Sequence, residues 1–416
     1  MTVGARSLNP FRVLRTHRNF RLFWIGQTLS LIGSWMQTIA LGWLSLELSN
    51  SAFVVGVVAS AGAIPIVLFS MHAGAFVDRS DRLKLVRITQ TIFLLQALIL
   101  WALTAAGMVT IPILILLAAV QGLCSAFEIP ARQSMIIQLV GRADLQSAIA
   151  LNSSGFNLAR VIGPAIGGIV IHKLGIGWCF GLNALSFVAV LWGLFLVELP
   201  AAAHEHLPWL GVADALRDST RAAGEGLRYF MKRGPVRDLL VLVTVGALFA
   251  GPFLTLMPVM ARDRLGMGAD GYGGLLASVG IGGFIGALTL AGPAAHWKRG
   301  HVLTVASLGF PVLLVAFAAS RTPLVANALL VLTGVTMIMF NSLGNGVLQL
   351  LVAEQYRGRL MALYSLLYVG LSSAVGAPLL GAAARAWGVE WAVGGSAVAT
   401  LLYALWTARS SVLKEL

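Results

Sequence analysis

Charged residues are scarce in this sequence. Asp, Glu, Lys and Arg together make up 11% of its 416 residues, whereas 58% of the residues are hydrophobic. A soluble domain carries roughly 25% charged residues, which it needs to cover its surface. This chain has too few charges for that purpose, so we expect much of its surface to face lipid.

Sequence motifs for several kinds of chemistry are also missing. The two cysteines, Cys124 and Cys179, both lie in apolar runs, where a thiol behaves as a small hydrophobic group. No G-x-x-x-x-G-K-[ST] motif for nucleotide phosphates occurs, and His204-Glu205-His206 lacks the H-E-x-x-H spacing of zinc hydrolases. We also find no nucleophile with a matching base. The sequence therefore predicts neither an enzyme nor a bound cofactor or metal.

Among the charges that are present, positive ones dominate. Lys and Arg number 29 against 16 Asp and Glu, which gives a net charge of +13. These basic residues are scattered over short loops and are not gathered on one folded domain, so we predict no nucleic-acid partner.

Apolar runs long enough to cross a bilayer recur along the whole chain. A membrane-spanning helix needs about 20 largely apolar residues. The first run is too long for the apolar part of a signal peptide, and no cleavage site follows it. We predict twelve spans, at residues 20–46, 52–76, 85–107, 110–131, 145–172, 177–198, 237–260, 271–295, 301–319, 323–351, 359–384 and 388–408.

One long polar stretch, at residues 199–236, interrupts this pattern near the middle of the chain. It predicts a first unit of six helices at 1–198 and a second at 237–416. With twelve spans, most Lys and Arg residues fall in loops on one side, which is typical of the cytoplasmic side. We therefore predict a multi-pass protein of the inner membrane with both termini in the cytoplasm.

The polar stretch has an apolar periodicity of its own. Val212, Leu216, Ala223, Leu227 and Phe230 recur at helical spacing, with basic residues elsewhere on the turn. This pattern predicts an amphipathic helix at the inner membrane surface, with its cations near anionic headgroups. A solvated tether is the alternative.

The loop between the second and third spans carries a recognisable motif. It reads Gly74-Ala75-Phe76-Val77-Asp78-Arg79-Ser80-Asp81-Arg82 and resembles the G-x-x-x-D-R-x-G-R signature of the major facilitator superfamily, with Asp81 at the second glycine. Gly74 permits close helix approach, and Asp78 can cap a helix or pair with a cation. The resemblance implies that Gly74, Asp78, Arg79 and Arg82 form a conformational latch that closes the cytoplasmic side against helix 11. The alternative is an ordinary basic loop with an acidic turn residue.

The fifth span carries a second motif. Gly163-Pro164-Ala165-Ile166-Gly167-Gly168 resembles the G-P-x-x-G-G antiporter signature of exporters in the same superfamily. Pro164 removes a backbone donor and kinks the helix, while Gly163, Gly167 and Gly168 let a neighbouring helix pack closely. A packing role alone would also explain these glycines. A related run, Ala377-Pro378-Leu379-Leu380-Gly381-Ala382, occupies the fifth span of the second half, which predicts pseudo-symmetric halves.

The resemblance extends along the whole chain to the superfamily branch that contains enterobactin-exporter and macrolide-efflux proteins. It implies an all-α membrane protein of twelve transmembrane helices, arranged as two pseudo-symmetric six-helix bundles. It also implies export of amphipathic or anionic small molecules driven by the proton motive force. The segments that carry the resemblance include Glu128-Ile129-Pro130-Ala131-Arg132-Gln133, Ala150-Leu151-Asn152-Ser153, Phe156-Asn157-Leu158-Ala159-Arg160 and Arg357-Gly358-Arg359.

Arg160 is the one strong cation well inside a predicted span. A charge within the membrane costs several kcal/mol by most scales, so Arg160 should face a cavity or a partner. Asn157 shares its helix face, and Glu128 of helix 4 is a candidate partner. Arg160 either forms a fixed bridge with Glu128 or faces the substrate. Glu128 is our first candidate for proton coupling and Glu354 the second. Ala118 stands where many drug/proton antiporters of the superfamily carry an Arg, which argues against the proton-handling scheme assigned to that Arg.

Polar residues form stripes on three other helices. Spacings of three and four put the members of each stripe on one face, which would be unfavourable in lipid. We predict that the stripes line a substrate cavity among helices 1, 4, 5, 7, 10 and 11, and hydrogen bonding between helices is the alternative. The stripes contain Gln27, Ser34 and Gln37 in helix 1, Asn341 and Asn345 in helix 10, and Tyr364 and Tyr368 in helix 11.

Together these features predict a monomeric, proton-coupled exporter that works by alternating access. Its partners would be a small-molecule substrate, protons and membrane lipid. An importer of a small nutrient is the first alternative, and the helix 5 motif argues against it. A membrane-embedded enzyme is the second alternative, and the absence of a catalytic set argues against it.

Overall fold

The computed structural model describes residues 11–198, 228, 230–232, 234–292 and 297–409, and within these ranges it contains helices and no strands. A short helix, Arg12–Thr16, precedes the long ones. The long helices are α1 (Arg18–Ser49), α2 (Ala52–Asp78), α3 (Arg82–Ala105), α4 (111–140), α5 (142–174), α6 (Ile176–Phe195), α7 (beginning with Gly234–Val245), α8 (Ala269–Ala291), α9 (Arg299–Ala319), α10 (Pro323–Leu351), α11 (beginning with Glu354–Ser365) and α12 (Val389–Arg409).

Helices α4 and α5 form one helical segment, Ile111–Leu174, that folds back on itself. Its 64 residues would extend about 96 Å if straight, roughly three times the thickness of the hydrocarbon core. Gly141, with φ 70° and ψ 175°, interrupts it in a conformation that suits glycine. Gln121 before the break and Gly167 after it both lie against α1 near Gln37, so the segment crosses the bundle twice.

The structure thus confirms twelve membrane crossings. Within the described residues, eleven helical segments are long and apolar enough to span a bilayer, and one of them, Ile111–Leu174, supplies two crossings. Most of the predicted amphipathic linker helix lies outside the described residues. Phe230, the last member of its apolar stripe, is described and fully buried.

Helices α1–α6 pack mainly with one another, and so do α7–α12. Between the two groups, α2 packs against α11 and α5 packs against α8. These two contacts are equivalent, because α2 and α8 are the second helices of their halves while α5 and α11 are the fifth. The arrangement confirms the predicted pair of pseudo-symmetric six-helix bundles.

The two ends of the bundle differ. At the end where the chain turns at Asn50, Gly107, Gly175, Gly266 and Gly388, here called the Asn50 end, the halves are in contact. Arg262 Nη2 of the second half donates a hydrogen bond to Asn50 Oδ1 of the first at 2.6 Å. At the opposite end, here called the Asp78 end, open space surrounds Gly74, and the Asp78 side chain is 67% exposed.

Two helices of the second half are irregular in the middle of the bundle. Helix α7 continues beyond Val245 through a π-helical turn at Gly246–Ala250 and a 3₁₀ turn at Gly251–Leu254. In α11 a π-helical segment, Leu366–Gly376, leads into the final helix Ala377–Trp387. π-Helical segments are rare and frequently occur at functional sites. Both irregular segments contribute to the cavity described next.

Candidate transport site

A cavity of about 380 Å³ lies between the two halves, on the inner side of the contacts at the Asn50 end. Its size is that of a pocket for a small organic molecule, typically about 300–1,000 Å³. Seven helices line it: α1, α2, α4, α5, α7, α8 and α11. Most of the lining is apolar. The polar lining side chains are Thr38, Ser45, Gln121, Ser125, Arg160, Thr255, Tyr272 and Ser373.

Arg160 of α5 is the charged residue of this lining. Among the described residues, no carboxylate lies within 4.0 Å of its guanidinium, so it has no salt-bridge partner there. The side chain is partly buried and lies near Tyr368 of α11, a residue of the other half. Desolvating a guanidinium without a counter-ion is unfavourable. An anionic ligand in the cavity would therefore be stabilised.

Tyr368 belongs to a small polar cluster beside Arg160. Its ring stacks on that of Tyr364, with centroids 5.6 Å apart and an interplanar angle of 14°. Asn341 Nδ2 of α10 donates a hydrogen bond to the Tyr368 hydroxyl, and the Tyr364 hydroxyl donates to the Asn341 carbonyl oxygen at 3.4 Å. Of the predicted cavity residues on α10 and α11, Asn341, Tyr364 and Tyr368 thus lie together. Asn345 adjoins this cluster, because its side chain is in hydrogen-bond contact with that of Tyr364, and its Oδ1 also accepts a hydrogen bond from Gln349 at 2.6 Å.

The predicted polar stripe on α1 does not line the cavity. Gln27 and Gln37 are 5% and 1% exposed, and Ser34 is partly buried and absent from the lining. Gln37 Nε2 donates to Gln96 Oε1 at 2.9 Å and to Gln121 Oε1 at 3.2 Å. Gln37 is buried because its amide bonds other amides between helices, whereas Gln27 Oε1 is buried without a hydrogen-bond partner among the described residues. None of Gln27, Ser34 and Gln37 lines the cavity in this conformation, so their role in a substrate cavity stays a prediction.

This buried network was only partly visible in the sequence. Asn183 of α6 donates to Gln37 Oε1 at 2.8 Å, so the network joins α1, α3, α4 and α6. Gln96 and Asn183 were overlooked, although an amide side chain inside an apolar span was an available signal. Gln121 is the member that also reaches the cavity.

Glu128 is paired, but with Arg132 and not with Arg160. Arg132 Nε lies 2.8 Å from Glu128 Oε1, and Gln90 Nε2 of α3 donates to the same oxygen at 3.4 Å. Glu128 and Arg132 are 5% and 8% exposed, so the ion pair is buried inside the first half. The fixed Arg160–Glu128 bridge, one of the two alternatives for Arg160, is therefore not formed in this conformation. A partner one helical turn away satisfies the carboxylate locally.

Two further predicted groups lie at the Asp78 end. Glu354 is exposed in the first turn of α11. In the motif after α2, Arg82 Nη2 lies 3.8 Å from Asp78 Oδ1, and Asp81 caps α3 by accepting from the Lys84 backbone N–H at 3.0 Å. Neither Gly74 nor Asp78 is packed against α11 in this conformation.

The helix 5 motif lies at the contact with two other helices. A Cβ added at Gly163 would meet Trp35 and Ile32 of α1, and one added at Gly168 would lie 2.8 Å from the Ala269 carbonyl oxygen of α8. Gly167 likewise lies against Ile39 and Met36 of α1, while Pro164 lines the cavity and Asn157 is exposed.

The cavity differs from the expected one in the helices that form it. Helices α2 and α8 contribute Val55, Val58, Leu276 and Val279, whereas α10 contributes no lining residue in the part of the chain that the structure describes. These aliphatic residues cannot be distinguished by sequence from lipid-facing ones. The glycines of α2 and α8 were the available signal, because close approach to another helix requires them.

Comparison with known proteins agrees with this geometry. The sequence model of the transmembrane secretion effector family matches residues 5–415. A staphyloferrin A transporter of Staphylococcus aureus is 29% identical over 276 residues, which cover 65% of this chain and 66% of the relative. The multidrug efflux pump Tap of Mycolicibacterium fortuitum is 28% identical, and the alignment covers 79% of this chain and 80% of the pump. The enterobactin exporter EntS of Shigella flexneri is 26% identical, and the alignment covers 89% of this chain and 86% of the exporter.

Solved structures show the same fold at low sequence identity. A peptide transporter POT aligns with a TM-score of 0.73 at 12% identity, covering 97% of this chain and 98% of the other. The nucleoside transporter NupG aligns with a TM-score of 0.71 at 13% identity, covering 96% of this chain and 99% of the NupG chain. The protein is a membrane transporter and not an enzyme. Because the family match extends over nearly all of its length, the chain belongs to the transmembrane secretion effector family of the major facilitator superfamily.

Proposed function

We propose that this protein exports an amphipathic, anionic small molecule from the cytoplasm by proton-coupled alternating access. The observation that carries the proposal is Arg160, a cation without a carboxylate partner in an otherwise mostly apolar cavity. An apolar body with an acidic group complements such a lining. The similarity to exporters of siderophores and drugs supports this substrate class and the outward direction.

The proposed cycle assigns the two ends of the bundle to opposite sides of the membrane. Basic residues such as Arg79, Arg82 and Lys84 cluster at the Asp78 end, which favours the cytoplasmic side for that end. The inner membrane would then hold a monomer with both termini in the cytoplasm. The units 1–198 and 237–416 would move against each other as rigid bodies, joined by the linker 199–236. In this cycle the present conformation accepts substrate from the cytoplasm.

Direction and driving force can be tested in everted membrane vesicles from a strain lacking its own pumps. We expect vesicles that contain this protein to accumulate an anionic amphipathic dye when their interior is acidified, and a protonophore to abolish the accumulation. Accumulation only in right-side-out vesicles would identify an importer and contradict the proposal.

Glu128→Gln should reduce pH-driven efflux about tenfold or more while solute exchange continues. The carboxylate is buried with Arg132 and Gln90, so taking up a proton would release an ion pair inside the first half. Proteoliposomes with and without a pH gradient measure the two activities separately. Unchanged pH-driven efflux would exclude Glu128 and direct the same test to Glu354→Gln.

A stability control is needed for this variant. Removing one partner of a buried ion pair costs about 3–5 kcal/mol in soluble proteins, because the other charge stays buried. The double variant Glu128→Gln/Arg132→Gln removes both charges and should regain thermal stability. If it also regains pH-driven efflux, the pair is structural only.

Asp78→Asn should slow transport severalfold without lowering the amount of protein in the membrane. The Asp78–Arg82 contact is exposed and 3.8 Å long, and such pairs contribute only about 0–1 kcal/mol. Any effect would therefore come from the proposed latch, which forms when the Asp78 end closes. Asp81→Asn is the matched control, because asparagine caps a helix about as well as aspartate. Equal transport rates in the two variants would contradict the latch.

A further inference from the structure

A second cavity, a groove of about 620 Å³, lies at the Asn50 end of the first half. It is bounded by the ends of α1, α3, α5 and α6 and shares no lining residue with the transport cavity. Polar and apolar atoms both line it, and several of its apolar side chains are exposed, including Leu48 at 44% and Leu174 at 58%. Because four helices end here, the groove lies where the hydrocarbon core meets the headgroup region.

One carboxylate lines this groove. Glu47 is the only charged lining residue in the part of the chain that the structure describes, and its Oε1 accepts a hydrogen bond from the Trp43 indole N–H at 2.6 Å. That contact holds the side chain in place but does not neutralise it. Among the described residues, no cation lies within 4.0 Å of Glu47. The groove therefore presents a fixed, uncompensated negative charge to the membrane boundary.

Two indole rings line the same groove as the carboxylate. Trp101 and Trp178 have ring centroids 5.8 Å apart at an interplanar angle of 48°. Gly181 makes room for Trp101, since a Cβ there would lie 2.9 Å from Trp101 Cε2. Aromatic faces attract ammonium groups, and indole does so most strongly. In the same groove the buried Thr104 Oγ1 has no hydrogen-bond partner.

We propose that this groove binds a phospholipid with a primary ammonium headgroup, as in phosphatidylethanolamine. The ammonium lies against Glu47 and the two indoles, and an acyl chain covers the exposed leucines. A water-soluble amine would leave the exposed apolar side chains of the groove uncovered. The carboxylate together with these side chains therefore favours a lipid over a soluble amine.

Native mass spectrometry of the delipidated full-length protein tests the proposal. Phosphatidylethanolamine, phosphatidylcholine and phosphatidylglycerol with identical acyl chains are added at equal concentration. We expect retention to be highest for phosphatidylethanolamine and about fivefold or more above phosphatidylglycerol. Glu47→Gln should lower phosphatidylethanolamine retention by about the same factor, because the variant keeps the shape of the side chain but not its charge.

The matched control is Glu390→Gln, a carboxylate at the same end that lies 3.5 Å from Arg264 and outside the groove. It should retain the lipid like wild type. As a second readout, phosphatidylethanolamine should raise the melting temperature of wild type and of Glu390→Gln but not of Glu47→Gln. Glu47 is exposed, so its substitution should not impair folding.

Three results would overturn the proposal. The first is equal phosphatidylethanolamine retention by wild type and Glu47→Gln. The second is equal retention of phosphatidylglycerol and phosphatidylethanolamine by wild type. The third is displacement of the lipid by glycerophosphoethanolamine, which has the headgroup but no acyl chains, since this would make the groove a site for a soluble amine.

Discussion

Arg160→Met should abolish efflux of anionic substrates. Methionine keeps an unbranched apolar stem but removes the only charge of the cavity lining that the structure describes. A hydrogen bond to a charged group contributes about 1.5–3 kcal/mol, so substrate binding should weaken about 10- to 100-fold. Efflux of a carboxylate-bearing dye and binding of the same dye to the purified protein measure the effect.

Arg160→Lys is the control for this prediction. Lysine preserves the charge but lacks the planar donor pair of the guanidinium, so partial activity is expected. A neutral amphipathic dye should be exported equally well by wild type and by Arg160→Met. If Arg160→Met instead reduces efflux of both dyes equally, Arg160 supports the fold or the conformational cycle through Tyr368. The proposed anionic substrate class would then be wrong.

Gly273→Val should prevent closure of the Asn50 end and reduce transport more than tenfold. Even a Cβ at Gly273 of α8 would lie 2.5 Å from the Pro164 carbonyl oxygen and 2.9 Å from Gly168 Cα of α5. Both obstacles are backbone atoms, so relief requires the two helices to separate. Helices α5 and α8 belong to different halves, and their separation opens the cavity at the Asn50 end.

Gly274→Val is a matched control for this variant. The two glycines are neighbours in α8, yet no atom lies within 4 Å of a Cβ added at Gly274. We expect normal transport from Gly274→Val. Equal activity of the two variants would mean that the α5–α8 contact is not needed for the cycle.

The conformation of Gly273→Val can be read from a cysteine placed in the cavity. Thr38 lines the cavity on α1 and is exposed there, and the native Cys124 and Cys179 are buried and can be replaced by alanine. A membrane-impermeant thiol reagent added at the Asn50 side should label Thr38→Cys faster in the Gly273→Val background than in the Gly274→Val background.

The helices could be predicted from the sequence because a bilayer imposes a minimum apolar length. Their continuation beyond the membrane could not. The fourth and fifth spans were predicted at 110–131 and 145–172, yet the helices extend to Gly141 from both sides. Polar residues there satisfy helical geometry in water as well as apolar residues do in lipid, so hydropathy gives no boundary.

The functional roles were harder to predict because helical spacing shows which side chains share a face, but not what that face contacts. Gln37 and Arg160 are both polar residues in the middle of a span, yet Gln37 binds other amides inside the first half while Arg160 faces the cavity. Which of two arginines a carboxylate meets also depends on helix rotation. Glu128 pairs with Arg132, one turn away on its own helix.

Trp43 offers a way to observe the two halves separating. Its indole ring stacks on Tyr272 of the second half, with centroids 6.0 Å apart and an interplanar angle of 20°, while its N–H is bonded to Glu47 of its own helix. When the Asn50 end opens, the ring must lose its stacking partner and gain water, which changes its fluorescence. The chain has 11 tryptophans, so the difference between wild type and Trp43→Phe isolates this signal. The protein thereby contains its own optical probe of the closed end, usable in a lipid membrane without any attached label.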